Sequence, residues 1–144
     1  MTLVTPTADR ASDLAAIDAV CFTDPWSETA FREGLAGEGY TFLAFEDQGA
    51  LIGYIGMLTV LDTADITNIA ILPEYRRRGL AKDLFSALSD AARDKGVTRL
   101  QLEVRESNVA ARSLYESLGF IVDGKRKRYY KKPDEDAVLM SLSL

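Results

Sequence analysis

Histidine is absent from this chain, and cysteine occurs only once, at Cys21. The lack of histidine excludes Ser-His-Asp triads, Cys-His pairs and every metal site with a histidine ligand. A single cysteine excludes an intramolecular disulfide and a cysteine-rich zinc site. Any acid–base chemistry must therefore use aspartate, glutamate, tyrosine, lysine or water, and we expect no metal.

Long apolar segments and an excess of positive charge are also missing. No uninterrupted apolar run approaches membrane-spanning length, and the first residues lack the charged-then-apolar plan of a signal peptide. We therefore expect a cytoplasmic protein that does not contact membranes. The net charge of −5 removes any general attraction to nucleic acid, so no direct DNA binding is expected.

The composition is that of an ordinary globular protein. Hydrophobic residues make up 47% and charged residues 27% of the 144 residues. This length is enough to bury a core without disulfide support. No repeat, low-complexity tract or linker divides the sequence, and we expect one domain spanning residues 1–144.

Periodicity predicts an alternation of strands and helices. After a short strand near Leu3, the residues Ala11, Leu14, Ile17 and Val20 recur at roughly helical spacing. Further along, the predicted order is two helices, three strands, a helix, a strand, a helix and two strands. This order indicates an α/β or α+β domain built on a single sheet.

The segment "TRLQLEVR" alternates strictly between apolar and polar residues. Leu100, Leu102 and Val104 face one side of the predicted strand, and Glu103 faces the other. Periodicity alone favours an ordinary solvated role for Glu103. Asn108, which follows this strand, is a good N-cap for the last predicted helix.

The segment "ILPEYRRRGLAKDL" predicts the end of a strand, a proline-containing turn, an arginine-rich loop and the start of a helix. A helix N-terminus offers unpaired N–H groups to a phosphate, and Gly79 permits close approach of the backbone. Neither a Walker A loop nor a Gly-x-Gly-x-x-Gly motif occurs. Taken alone, the pattern is equally consistent with an exposed basic turn that caps a helix.

A wider resemblance separates these alternatives. Arg76-x-x-Gly79-x-Ala81 resembles the acetyl-CoA pyrophosphate loop of the GCN5-related N-acetyltransferases (GNAT enzymes). The segments "NIAILPEYRRRGLAKDLF", "LQLEVRESNVAARSLYESLGF" and "RYYKKPDEDAVLM" stand in family order and at family spacing. Together they resemble the RimI-type ribosomal-protein-alanine N-acetyltransferases over nearly the whole chain. The resemblance implies a mixed, mostly antiparallel sheet of about seven strands flanked by about four helices.

The resemblance implies acetyl-CoA as co-substrate. It puts the pyrophosphate on backbone N–H groups from Arg77 to Lys82, and the pantetheine arm along the strand that precedes the loop. The residues assigned to the cofactor in this way are Ile69, Ala70, Ile71, Arg76, Arg77, Arg78, Gly79, Leu80, Ala81, Lys82 and Asn108.

The same resemblance gives Glu103 and Tyr115 catalytic roles. An α-amino group has a pKa near ~8 and is largely protonated at neutral pH, so it needs a base. RimI-type enzymes place their proton acceptor at the position of Glu103. The family tyrosine matched by Tyr115 donates a proton to the departing thiolate, although an amphipathic packing role is the alternative. Cys21 matches no family nucleophile, and we expect direct attack in a ternary complex.

The acceptor is expected between "FTDPWS" and the hairpin "RKRYYKKPDEDA". Trp26 either contacts the substrate or only packs on Phe31 as a hydrophobic staple. Tyr129 and Tyr130 are adjacent, so only one should line the groove unless the strand is irregular.

The resemblance implies that the acceptor is a protein N-terminus, that of an alanine-starting ribosomal protein. The alternatives are a protein lysine or a small amine as acceptor, a non-catalytic acyl-CoA-binding regulatory module, and a nucleic-acid-binding domain. The negative charge disfavours the last of these. The basic stretch from Lys125 to Lys132 is typical of a solvated hairpin. A second hypothesis is that it engages an acidic or RNA-rich partner such as a nascent ribosomal particle.

Overall fold

The computed structural model describes residues 1–131 and 133–144, so Lys132 lies outside the described residues. Its strands are β1 (Thr2–Val4), β2 (Tyr40–Asp47), β3 (Ala50–Val60), β4 (Thr63–Ile71), β5 (Arg99–Arg105), β6 (Ile121–Tyr130) and β7 (Glu135–Ser143). Its α-helices are α1 (Ala11–Cys21), α2 (Glu28–Ala36), α3 (Leu80–Asp94) and α4 (Val109–Ser117). Short 3-10 turns cover Ala8–Arg10 and Pro73–Tyr75. No helix in these ranges is long and apolar enough to cross a membrane.

The strands form one sheet in the order β1-β2-β3-β4-β5-β7-β6. Every neighbouring pair is antiparallel except β4 and β5. The predicted order of elements and the mixed, mostly antiparallel sheet are thus confirmed. The parallel pair requires a crossover, and α3 provides it.

Capping and turn residues set most element ends. The Ser27 side chain accepts a hydrogen bond from the N–H of Ala30 at 3.0 Å, which caps α2. Gly96 and Gly119, after α3 and α4, have φ values of 81° and 100°. The helical spacing of Ala11, Leu14, Ile17 and Val20 is confirmed by α1, although Val20 itself is exposed and the buried face consists of Ala11, Leu14, Ile17 and Asp18.

Two hydrophobic clusters cover opposite faces of the sheet. One cluster joins α1 and α2 to Phe42, Ala44 and Tyr54. The other joins α3 and α4 to the far face, where Leu84 and Leu88 pack on the strands. Because neighbouring residues on a strand point to opposite faces, β2 and β3 contribute to both clusters.

Strands β4 and β5 pair over only three residues. Thr63, Ala64 and Asp65 stand opposite residues 99–101, and beyond this point the two strands separate. A bulge in β4 follows at once, since Asn68 pairs with Gly56 and Ile66 with Met57, which leaves Thr67 without an opposite residue. A V-shaped opening therefore lies in the middle of the sheet.

Asp18 is a fully buried carboxylate beneath this opening. Its two oxygens accept hydrogen bonds from the Tyr54 hydroxyl at 2.5 Å and from the Trp26 N–H at 3.0 Å. Burial raises the pKa of Asp18, and the two hydrogen bonds partly oppose that rise. Asp18 thereby joins α1, β3 and the loop before α2.

The raised pKa of Asp18 predicts a measurable dependence of stability on pH. The folded state retains a proton that the unfolded state has already released above about pH 4. The contribution of neutral Asp18 is therefore fully present below the unfolded pKa and is lost as the pH rises through the folded pKa. We expect the free energy of unfolding of the wild type, minus that of Asp18→Asn, to fall as the pH rises above the unfolded pKa of about 4. Denaturant titrations check this, and a constant or growing difference would contradict it.

Candidate active site

A cleft of about 660 Å³ occupies the opening between β4 and β5. Glu103 lies on its β5 side, and Ile66 and Thr67 lie on its β4 side. Trp26 from the loop before α2, together with Tyr129 and Tyr130 of β6, completes the aromatic part of the wall. The opening thus brings together the predicted proton acceptor and all three predicted acceptor-binding residues.

Glu103 projects from the polar face of β5, as the alternation of this strand predicts. The residues on either side, Leu102 and Val104, are buried in the core. The Glu103 carboxylate is 3.4 Å from a guanidinium nitrogen of Arg126, and its side chain is 30% exposed. A base in this position is reachable from solvent and is held at one side of the cleft.

Tyr129 and Tyr130 both line the cleft, which differs from the expectation for a regular strand. The register of β6 against β7 slips between Arg126 and Tyr130, and Arg128 has a left-handed φ of 50°. The alternation of side chains is broken there, so the two rings lie 5.1 Å apart and nearly perpendicular. The interaction with Glu103 is the largest cause of the raised pKa of Tyr129.

Tyr115 is a buried residue of α4. Its ring packs edge-on against Phe120 at 5.7 Å, within the larger hydrophobic cluster. Burial raises the pKa of Tyr115 above the ordinary range, and neighbouring Tyr130 adds to this effect. Tyr115 therefore stays protonated over the working range of an enzyme, and it also fulfils the packing role that was the alternative.

Trp26 makes the staple contact and also lines the cleft, so its position is compatible with the predicted contact to the substrate. Its ring lies 5.2 Å from that of Phe31. The bond from its N–H to Asp18 fixes the backbone at this point. Sequence reasoning missed Asp18, because a polar residue on a helix gives no sign that it will be buried.

A second cleft, of about 210 Å³, lies between the arginine-rich loop and Leu114 of α4. Arg77 and Gly79 in this loop have positive φ values of 64° and 77°. Within residues 1–131 and 133–144, no acceptor is recorded for the backbone N–H groups of residues 77–82. Successive free N–H groups at a helix N-terminus form a concave site suited to an anion.

The three arginines of the loop are not equivalent. Arg76 donates from Nε to the Ile71 carbonyl at 2.9 Å, and its Nη2 approaches the Cys21 sulfur at 3.7 Å. Arg78 donates to the Glu74 carbonyl at 3.4 Å and stacks over the Tyr75 ring at 5.1 Å. The side chains of Arg76 and Arg78 thus contact the protein itself, and the expected role in cofactor binding rests on the loop backbone and Arg77.

The end of β4 presents backbone groups to the opening. Leu72 donates its N–H to Ile52 at 2.9 Å, so Ala70 and Leu72 pair with β3. By the alternation of an antiparallel ladder, the amides of Ile69 and Ile71 point the other way, toward the side that β5 has left. The Ala70 and Ile71 side chains are buried in the core. The Ile71 carbonyl accepts from Arg76, so the outward-facing groups that remain for a ligand are the Ile71 N–H and the backbone N–H and C=O of Ile69.

Asn108 is the N-cap of α4, as predicted. Its side-chain oxygen accepts from the N–H of Ala111 at 3.1 Å.

Two residues beyond Glu103, Arg105 donates hydrogen bonds to the loop before α2 and to the turn after β6. Sequence reasoning did not select Arg105, although it lies on the same polar face of β5 as Glu103 and this shared face was the available signal.

The basic stretch is partly neutralised by neighbouring carboxylates. Lys125 forms an ion pair with Glu106, and Arg126 forms one with Glu103. The N–H of Arg128 also bonds to the Asp136 carboxylate at 2.9 Å. These contacts support a solvated hairpin, and Lys132, which the second hypothesis included, is outside the described part.

Comparison with known proteins places this geometry in a family. The sequence profile of the Acetyltransferase (GNAT) family matches residues 11–120. The ribosomal protein bS18-alanine N-acetyltransferase of Escherichia coli (strain K12) is 42% identical over 122 residues, which cover 83% of this chain and 82% of that protein. The enzyme of the same name from Haemophilus influenzae is 44% identical over 123 residues, covering 83% of each chain.

Solved structures agree with the sequence comparison. The crystal structure of the Escherichia coli ribosomal-protein-S18-alanine N-acetyltransferase superposes with a TM-score of 0.89 at 37% identity, over 99% of this chain and 92% of that one. The PaiA N-acetyltransferase of Thermoplasma acidophilum, solved in complex with coenzyme A, shares the fold with a TM-score of 0.80 at 16% identity, covering 99% of this chain and 98% of that one. With the profile match over most of its length and relatives above 40% identity, the chain belongs to the GNAT family of acetyltransferases.

Proposed function

We propose that this enzyme transfers the acetyl group of acetyl-CoA to the N-terminal α-amino group of a protein. The proposed acceptor is an alanine-starting ribosomal protein, bS18 by analogy with the relatives. The observation that carries the proposal is the opening between β4 and β5, where Glu103 faces Trp26, Tyr129 and Tyr130 across one cleft. That acceptor implies a reaction in the cytoplasm, and we propose that residues 1–144 act as a single domain.

The residues around the second cleft fit acetyl-CoA. The free N–H groups of residues 77–82 match the oxygens of a pyrophosphate, and Arg77 adds a positive charge without a recorded partner in the described ranges. The outward-facing amides of Ile69 and Ile71 match the amides of a pantetheine arm. We propose that Leu80, Ala81, Lys82 and Asn108 complete this site through the first turns of α3 and α4.

Bound acetyl-CoA would supply an acetyl thioester, and the reaction forms an amide C–N bond while a C–S bond breaks. We propose that Glu103 accepts the proton that the ammonium must lose, directly or through water. Tyr115 is held neutral by its raised pKa and would give its proton to the sulfur that leaves. The two roles are thus assigned to different side chains, the Glu103 carboxylate at the cleft and the buried Tyr115 phenol.

Acceptor choice is the first test of the proposal. We expect acetylation at the α-amino group of an alanine-starting peptide with the bS18 N-terminal sequence. The same peptide with a blocked N-terminus and an internal lysine should show little product, because the proposed acceptor is the α-amino group of a chain terminus. Mass spectrometry after incubation with acetyl-CoA checks this. Preferential lysine acetylation would overturn the acceptor assignment, and CoA binding without turnover would favour a regulatory module.

Glu103→Gln and Tyr115→Phe test the catalytic roles. Each substitution is nearly isosteric, and each should lower kcat by about 100-fold or more, the usual contribution of one acid–base group. The affinity for CoA, measured by calorimetry, should change little, because neither side chain lines the loop cleft. Full activity in both variants would contradict the assigned roles while leaving the fold and the family intact.

Gly79→Ala tests whether the backbone N–H groups of residues 77–82 bind the pyrophosphate, and Gly96→Ala is the matched control. Both glycines have positive φ, at 77° and 81°, and nothing lies within 4 Å of an added Cβ at either site. Each substitution should cost about 1–2 kcal/mol in unfolding free energy for the left-handed backbone. Only Gly79→Ala should weaken CoA binding, by about tenfold, because it disturbs the N–H groups proposed to hold phosphate. Equal CoA affinity in the two variants would exclude this loop as the pyrophosphate site.

A further inference from the structure

Arg105, the last residue of β5, makes contacts that the reaction described above does not use. Its Nη1 donates to the Pro133 carbonyl at 3.1 Å and to Glu135 Oε1 at 3.3 Å. Its Nη2 donates to the Lys131 carbonyl at 3.1 Å and to Asp24 Oδ2 at 3.0 Å. The side chain is only 18% exposed. These five residues are called the Arg105 clamp below.

Further contacts hold the clamp in place. The guanidinium lies over the Tyr130 ring, 4.5 Å from its centroid. Glu135 also accepts the N–H of Ser107 at 2.6 Å, and its pKa is lowered first by its hydrogen bonds with Ser107 and then by Arg105. Glu135 is therefore ionised at neutral pH, and one cation is matched by two carboxylates.

The clamp joins the two segments proposed to hold the acceptor. Asp24 belongs to the loop between α1 and α2, which also carries Trp26. Lys131 and Pro133 belong to the turn between β6 and β7, which follows Tyr130. Arg105 lies two residues from Glu103 on the same face of β5, since side chains alternate along a strand.

We propose that Arg105 is a positioning residue for the protein acceptor, setting the distance of both acceptor-binding segments from Glu103. The proposal rests on the proposed function, because it assumes that these segments hold a protein N-terminus. Arg105 acts indirectly, by holding the two segments that carry Trp26 and Tyr130.

Arginine is required here because its planar fork directs several donors at once. A lysine ammonium places one compact charge and cannot span partners on both segments in the same plane. A neutral side chain would leave the half-buried Glu135 carboxylate without its cation. Without the Arg105 guanidinium, the loop before α2 and the turn after β6 would move independently. The acceptor amine would then approach Glu103 in a wider range of positions.

Steady-state kinetics of Arg105→Gln and Arg105→Lys test the proposal. We expect KM for the alanine-starting peptide to rise by about tenfold or more in both variants, because small misplacements of a substrate are costly. The Kd of CoA should stay within about twofold, since the proposed phosphate loop follows a different strand. An unchanged peptide KM in Arg105→Gln would overturn the proposal.

Arg10→Gln is the matched control. Arg10 is also a multiply bonded arginine, contacting Asp13 at 2.6 Å, Glu46 at 2.7 Å and the Gly49 carbonyl at 3.2 Å. It lies on the opposite edge of the sheet, near β1 and β2. Its replacement should lower Tm and leave the peptide KM unchanged. A similar rise in KM for Arg10→Gln would show that general destabilisation, and not positioning, explains the Arg105 effect.

Hydrogen exchange separates failure of the clamp from failure of the proposed function. In Arg105→Gln, exchange should rise together in residues 22–27 and in the turn after β6, and in neither segment for Arg10→Gln. If the wild type does not acetylate protein N-termini, the proposed function fails and the positioning role for a protein acceptor fails with it. Coupled exchange would then still show that a clamp exists. If the wild type is active but exchange in the two segments is uncoupled, the clamp proposal alone is overturned.

Discussion

The early separation of β4 from β5 is the constraint on which the rest of the site depends. Buried backbone N–H and C=O groups need partners, and a strand inside a sheet normally finds them on both sides. Here the parallel pairing ends after Asp65, and the second half of β4 keeps only β3 as neighbour. Gly56 supports the bulge at this point: a Cβ there would lie 2.7 Å from the Thr67 hydroxyl. The groups left free can be satisfied by water or by a ligand with amides of its own.

In the proposed reaction, the two strands that border the opening carry different parts of the chemistry. The arm formed by β4 leads straight into the arginine-rich loop and the N-terminus of α3, where free N–H groups converge. The arm formed by β5 carries Glu103 and leads into α4, which carries Tyr115. This division follows from chain order. Because β4 and β5 are parallel, the helices that follow them, α3 and α4, begin at the same end of the sheet. A ligand held by the first arm would therefore place its reactive end against the second.

Sequence patterns predicted the elements well and the side-chain contacts less well. The strict alternation of β5 placed Glu103 on the polar face, because one buried face sets the register of a strand. The resemblance identified the loop, but local charge was a poor guide to its arginines: Arg76 and Arg78 bond to nearby carbonyls that no pattern in the sequence marks. Tyr129 and Tyr130 share one cleft because of a slip in register at Arg128, and a slip depends on both strands of the pair. The spacing of apolar residues located α1 but not its whole buried face, because Asp18 takes a core position while Val20 is exposed.

In the proposed mechanism, charge pairing within the site would link acceptor binding to proton transfer. Glu103 and Arg105 share one face of β5, yet the first is paired with Arg126 of β6 and the second with Asp24 and Glu135. The base thus faces a cation on an exposed strand at the edge of the sheet, where the cost of exchanging partners is small. Arg105 faces two carboxylates: its pair with Glu135 is half-buried, where that exchange is costly, and its pair with Asp24 is exposed on the carboxylate side. An incoming ammonium could take the place of Arg126 beside Glu103 without disturbing the Arg105 contacts. In the proposed mechanism, the exchangeable pair therefore lies where the amine would arrive, and the half-buried pair of Arg105 with Glu135 lies where the turn after β6 must stay in place.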